Sequence, residues 1–257
     1  MTWRAVVDSL PSVSLEELTE TAELLTRVDR KYVVSLEVLS AVLTGHECGL
    51  KALEIDGRRT GNYRSVYYDT PELTSHLAAA RKRPRRFKVR TREYVDSGIA
   101  AVEVKLRSAR GDTVKHREWL DAGRDRGAER GSVVAYASTF AGVKDVANLL
   151  RPTLTTTYKR ATLLGPSGRI TIDAEVGAED ARGAACTYGD LLIVETKSSA
   201  GAGAFDRDLW ARGVRPARLS KYATSLAALY PELPANRWHR TLTRYAPSHV
   251  GAEARPA

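Results

Sequence analysis

Five short segments place charged residues at every second position: Arg27/Asp29/Lys31, Lys88/Arg90/Arg92, Glu103/Lys105/Arg107, Lys115/Arg117 and Glu195/Lys197. A β-strand turns successive side chains to opposite faces. Each spacing therefore gathers charge on one face and leaves the other to Val, Leu, Ile, Phe or Tyr. For any one segment the plain alternative is a sheet that turns its charges to water. Five together predict strands lining a shared, mostly cationic interior. If they close into a barrel, that interior is a polar tunnel suited to a long, multiply charged anion.

The chain has 257 residues, 43% of them hydrophobic, enough to bury a core, and all-β barrels of this length are often one domain. The expected organisation is a single domain over 1–232 and a poorly ordered tail over 233–257. Forty Lys and Arg against 31 Asp and Glu give a net charge of +9, which fits a polyanionic partner without choosing among phosphate chains, nucleotides and nucleic acid. Cys48 and Cys186 belong to no CxxC pattern, and the five His show no HExxH pairing, so neither a disulfide framework nor a zinc site is indicated. No apolar run is long enough for a membrane helix, and the first residues lack the apolar stretch of a signal peptide. A cytoplasmic protein is expected.

Local signals supply the remaining elements. Ser14-x-x-Glu17 is a capping box ahead of a short helix expected to end near Thr26. Leu36–Leu43 reads as a helix, Leu50–Ile55 as a strand before an Asp56-Gly57 turn, and Thr70-Pro71-Glu72 as a helix start with Pro at the first position. Arg85–Tyr94 and Ala100–Arg107 form a hairpin, followed by Thr113–Leu120 and a charged loop over 121–131. Val133–Leu150 carries helical spacing. Thr153–Leu164 and Arg169–Val176 make a second hairpin, Leu191–Ser198 a last strand, and Ala204–Arg212 and Ser220–Leu229 closing helices.

Arg presents a planar fork to phosphate oxygens and Lys a compact charge. Arg90, Arg92, Lys105, Arg117, Arg160 and Arg169 are therefore phosphate-ligand candidates, with Lys197 beside Glu195. The carboxylates on the same inferred faces are Asp29, Glu103, Asp173, Glu175 and Glu195. They suit Mg²⁺ or Mn²⁺, or serve only as partners of neighbouring Arg; Glu195 and Glu103 are the metal candidates. No Walker loop, kinase-like glycine loop or GxSxG elbow is present, so nucleotide chemistry requires a different cradle.

The segments RVDRKYVV, SVYYDT, KVRTREY, VEVKLR, YKRATL, RITID, VETKSS and RLSKY, in this order, resemble the VTC domain. This is the polyphosphate polymerase domain of the triphosphate tunnel metalloenzymes, relatives of the CYTH proteins, and the resemblance covers roughly 27–230. It implies an α+β, mainly β fold, an eight-stranded antiparallel tunnel barrel with flanking helices. The implied activity is transfer of the terminal phosphoryl group of ATP to polyphosphate, assisted by Mn²⁺ or Mg²⁺. Carried over by motif, Lys31, Arg90, Arg92, Arg160 and Arg169 serve catalysis. Arg81, Lys105, Tyr158, Arg218, Ser220 and Lys221 serve phosphate binding, with Glu195 as metal ligand. CYTH triphosphatases begin Glu-x-Glu-x-Lys where this chain has Arg27-x-Asp29-x-Lys31. Losing that carboxylate weakens a two-metal hydrolytic site and favours the polymerase branch. A metal-dependent triphosphatase or polyphosphatase, and a non-catalytic binder of polyphosphate or inositol phosphate, are the rival readings. With aromatics at 7% and no stacking motif, no nucleic-acid partner is expected.

Overall fold

The computed structural model describes residues 2–22, 28–45, 49–109, 111, 113–120, 130–198 and 201–250. Arg27, Asp112 and most of the charged loop over 121–131 lie outside them. In chain order the elements are α1 (Trp3–Asp8), β1 (Ser12–Val13), α2 (Leu15–Ala22), β2 (Val28–Val34), α3 (Leu36–Gly45), β3 (Lys51–Leu53), β4 (Thr60–Asp69), α4 (Thr74–Ala80), β5 (Arg86–Tyr94), β6 (Ile99–Arg107) and β7 (Thr113–Leu120). There follow α5 (Arg130–Ser138), a 3-10 turn (Lys144–Leu149), β8 (Arg151–Gly165), β9 (Gly168–Asp180), β10 (Ala185–Thr187), β11 (Leu192–Ser198), α6 (Ala204–Ala211), α7 (Lys221–Leu229), α8 (His239–Tyr245) and β12 (Ser248–Val250). The fold is mainly antiparallel β with flanking helices. Among the described residues eight strands are seven residues or longer; β1, β3, β10 and β12 span two or three.

Backbone contacts gather the chain into two compact units. The first comprises 1–61, 158–176 and 188–218, the second 62–157, 177–187 and 219–257.

In the first unit β11 pairs with β2 on one side and β9 on the other, all antiparallel, and β3 pairs with β8 and, in parallel, with β1. One face carries Tyr32, Val34, Ile172, Leu192 and Val194, packed against Leu39 and Val42 of α3 and Leu209 of α6. Asp206 fixes the start of α6, accepting from the backbone N–H of Gly203, the Thr196 hydroxyl and the Tyr32 hydroxyl at 2.9, 2.6 and 2.7 Å. At the β8–β9 turn only glycine fits position 168. Its φ is +125°, and a Cβ would meet the Lys197 carbonyl at 2.2 Å.

In the second unit β4, β5, β6 and β7 pair in succession, all antiparallel, and β10 pairs with β9 and β12. Phe87, Val89, Val102 and Val104 pack against Val133 and Ala137 of α5 and Ala147 and Leu150 beyond it. A second core joins Tyr67, Leu154, Tyr222, Leu226 and Trp238.

Three expectations need correction here. The helix expected over 133–150 is broken into α5 and the 3-10 turn, because the Ser138 and Thr139 hydroxyls bond back to the Val134 and Tyr136 carbonyls at the C-terminal end of α5. Helix α4 starts at Thr74 instead of Pro71. The Asp69 carboxylate accepts the N–H groups of Thr70, Ser75 and His76 at 2.8, 2.8 and 2.9 Å and so caps the helix from five residues upstream. Residues 233–250 are not a loose tail, since Trp238 is buried and α8 and β12 lie beyond it. Among the described residues no helix is long and apolar enough to cross a membrane.

Candidate functional site

Register in the second unit turns the sequence alternation into rows. Ser65, Arg92, Ala101 and Trp119 are paired across β4, β5, β6 and β7; the next row is Tyr67, Arg90, Glu103 and Arg117; the next is Lys88, Lys105 and Lys115. Directly paired residues share a face. Six cations thus stand on one face with Glu103 as the paired carboxylate, while both oxygens of Asp69 are taken by α4 and by the Tyr222 hydroxyl.

Glu103 is 3% exposed and accepts five hydrogen bonds. Arg90 gives two to Oε2 at 2.8 and 2.5 Å; Lys115 at 2.7 Å and Arg117 at 3.0 and 2.7 Å go to Oε1. Burial alone would raise the Glu103 pKa, but Arg90, Arg92 and Lys115 overrule it and hold the carboxyl well below its usual range. Its oxygens are saturated by cations, so this donor set does not fit a divalent metal. Glu103 is the counter-ion of the face and not the metal ligand expected of it.

Arg92 is 8% exposed and its Nε has no hydrogen-bond partner; its guanidinium lies 5.7 Å from the Tyr63 ring. Across the ladder the Ser65 hydroxyl is fully buried and also without a partner. Tyr67 accepts from Arg90 at 3.1 Å. Burial would raise its pKa, but Arg90, Lys221 and Arg92 lower it on balance. Ser220 caps α7, accepting from the Ala223 N–H, and its hydroxyl takes a 2.9 Å bond from Lys88. Lys88, Ser220, Lys221 and Tyr67 are therefore neighbours, whereas Arg81 stands exposed just beyond α4 with no described bond to this group.

The first unit carries a second polar face. Glu195 is paired with Lys31 of β2 and Thr171 of β9, and Lys197 with Asp29 and Arg169. Lys31 lies 3.2 Å and Lys197 2.9 Å from the Glu195 oxygens. Burial would raise this carboxyl, but Lys31, Lys197 and Arg160 hold it well below the usual range. The buried Thr171 hydroxyl beside it has no partner. Arg160 grips Asp173 with two bonds at 2.5 and 2.8 Å and lies 5.2 Å from the Tyr158 ring. Arg218 is exposed, next to Ala217, whose N–H bonds the Lys31 carbonyl at 2.7 Å.

Among the described residues no three His, Cys, Asp or Glu converge on a metal position. Glu195 is held by two monodentate lysines, unlike Glu103, and fits a divalent cation only where phosphate oxygens and water complete the shell. Three side chains escaped the sequence reading. Ser65 and Tyr67 lie two apart in SVYYDT, and Thr171 lies two from both Arg169 and Asp173 in RITID, so strand period alone joins each to its face.

Comparison with known proteins adds the following. The VTC domain model matches residues 26–230. A protein of Hippeastrum assigned as an adenylyl cyclase, with a dominant triphosphatase activity, matches at 15% identity and a TM-score of 0.50, over 77% of this chain and 94% of its own. A protein of Vibrio parahaemolyticus, also assigned as an adenylate cyclase, matches at 15% identity and a TM-score of 0.38, over 88% and 95%. No curated protein matches the chain.

Proposed function

The chain belongs to the VTC domain family, and we propose that it is a polyphosphate polymerase, moving the terminal phosphoryl group of ATP onto a polyphosphate chain in a basic tunnel of the kind that family resemblance implies. The observation that carries this reading is the face of β4–β7. Six cations share one paired carboxylate, and the buried Arg92 Nε and Ser65 hydroxyl have no partner. Like charges crowded beside a buried guanidinium, that of Arg92, are costly without compensation. An anion that accepts several charge-assisted hydrogen bonds at once supplies it, and a phosphate chain is such an anion.

In the transfer, a terminal oxygen of polyphosphate attacks the γ-phosphorus of ATP. The bond from γ-phosphorus to the β,γ-bridging oxygen breaks, ADP leaves with that electron pair, and the chain gains one phosphate. The acceptor oxygen is already ionised, so no general base is required. Arg90 and Arg92 spread the charge of the transferring group, and Lys105, Arg117, Ser220 and Lys221 position the phosphates; the family resemblance gives Lys31, Arg160 and Arg169 a catalytic role and Tyr158 and Lys197 a phosphate-binding one. Glu195 would hold Mn²⁺ or Mg²⁺, which would neutralise phosphate charge. Catalysis is mainly alignment plus electrostatic stabilisation.

Incubation with ATP and Mn²⁺, followed by separation of products, tests the reading. Long polyphosphate matching the ADP formed is expected. Free phosphate matching ADP, without polymer, would make water the acceptor and the protein a triphosphatase.

A further inference from the structure

The cationic face of the second unit does not end at Lys88. One row further along, Arg86 stands opposite Arg107, on the same face as Lys88, Arg90 and Arg92, since Phe87 and Val89 between them are buried against the α5 side. Arg237, just before α8, is near enough that its charge and that of Arg107, after burial, hold the Arg86 guanidinium below its usual pKa. The Arg107 guanidinium lies 3.2 Å from where a Cβ on Gly111 would be, so it packs against that turn. Among the described residues no carboxylate pairs with Arg86 or Arg107, and Arg86 donates instead to the Arg83 carbonyl at 2.7 Å. Arg81, Lys82, Arg83 and Arg85 are exposed on the turn that enters β5. The span from Arg92 to Arg86 is about 20 Å at about 3.4 Å per residue, longer than the triphosphate of ATP.

We infer that Arg86 and Arg107, paired across β5 and β6, form a distal subsite for the non-reacting length of a polyphosphate chain, beyond the phosphates held at Arg90 and Arg92. The inference rests on the polyphosphate reading above and specifies its substrate: an unbranched chain longer than a triphosphate. Like charges crowded at a strand end are relieved by an anion laid across them, and a chain already held at Arg90 needs no new entry cost to reach them.

The test is direct binding, by titration calorimetry, of tripolyphosphate and of a long-chain polyphosphate to the wild type and to the Arg86→Gln/Arg107→Gln double variant. Unfolding midpoints confirm that both fold. The ratio of long-chain to tripolyphosphate affinity should fall roughly tenfold in the variant. The salt dependence for the long chain should lose about 0.7 in slope for each lost contact, by analogy with single-stranded nucleic acid. An unchanged ratio, with tripolyphosphate still bound, would overturn the distal subsite alone; a wild type that binds no tripolyphosphate would overturn the polyphosphate reading with it. Single-stranded DNA of equal phosphate count, bound as tightly and lost by the same factor, would show a general polyanion surface and also overturn the inference.

Discussion

The polar faces of the two units share one construction and differ in charge. In the second unit, Lys88, Arg90, Arg92, Lys105, Lys115 and Arg117 share a face with the Glu103 carboxylate, and Arg90, Lys115 and Arg117 bond to it. In the first, Lys31, Arg160, Arg169 and Lys197 meet Asp29, Asp173 and Glu195, close to balance. On the proposed function, the face with surplus cations is the one to hold an anion, and the nearly balanced face the one whose carboxylate would take a cation. Glu103 and Glu195 sit in equivalent-looking alternations, yet one has its oxygens saturated by guanidinium and ammonium groups, while the other is bonded by two lysines with the Arg160 charge acting on it as well. The difference lies in neighbours, and on the proposed function the two glutamates do different work.

The comparison is broken most forcefully at Glu195. Glu195→Gln should lower ATP turnover by about 10²- to 10³-fold while metal-free tripolyphosphate binding is kept or strengthened, as a coupled ADP assay and calorimetry would read. Loss of both together would place Glu195 with the structural carboxylates. Glu103→Gln should instead act on stability, lowering it by about 3 kcal/mol in urea unfolding, because three cations lose their shared counter-ion. An unshifted midpoint would erase the distinction between the two glutamates.

A smaller effect sharpens the anion side. Arg92→Gln should weaken tripolyphosphate about 10- to 100-fold. Ser65→Ala should weaken it only a few-fold and leave the unfolding midpoint alone, since its hydroxyl has no protein partner to lose. The smallest effect is on pH. Burial first, and repulsion from Arg117 and Arg92, bring the Lys115 pKa down to about 8 in spite of Glu103. Phosphate favours the protonated lysine, so affinity should fall a few-fold as pH rises through 8, and Lys115→Arg should remove that fall. A decline of equal size in Lys115→Arg would assign it to other groups.

Much of this was legible in the chain because strand period is a local property: Phe87, Val89, Val102 and Val104 alternate with the charges whatever they pair with. What pairs with what is not local. The role of Glu103 depends on register with Arg90 and Arg117 on neighbouring strands, which no spacing reveals. The start of α4 was misplaced because its cap is a side chain from the preceding strand, Asp69. The final helix was missed because a polar stretch hides one buried anchor, Trp238. Ser65, Tyr67 and Thr171 are neutral in the sequence and gain their meaning only from the charges beside them.

The most direct measurement is a crystal structure with tripolyphosphate bound. The account predicts phosphate oxygens within hydrogen-bond distance of Arg90, the Arg92 Nε and the Ser65 hydroxyl. Tripolyphosphate bound elsewhere, with that face holding only water, would contradict it.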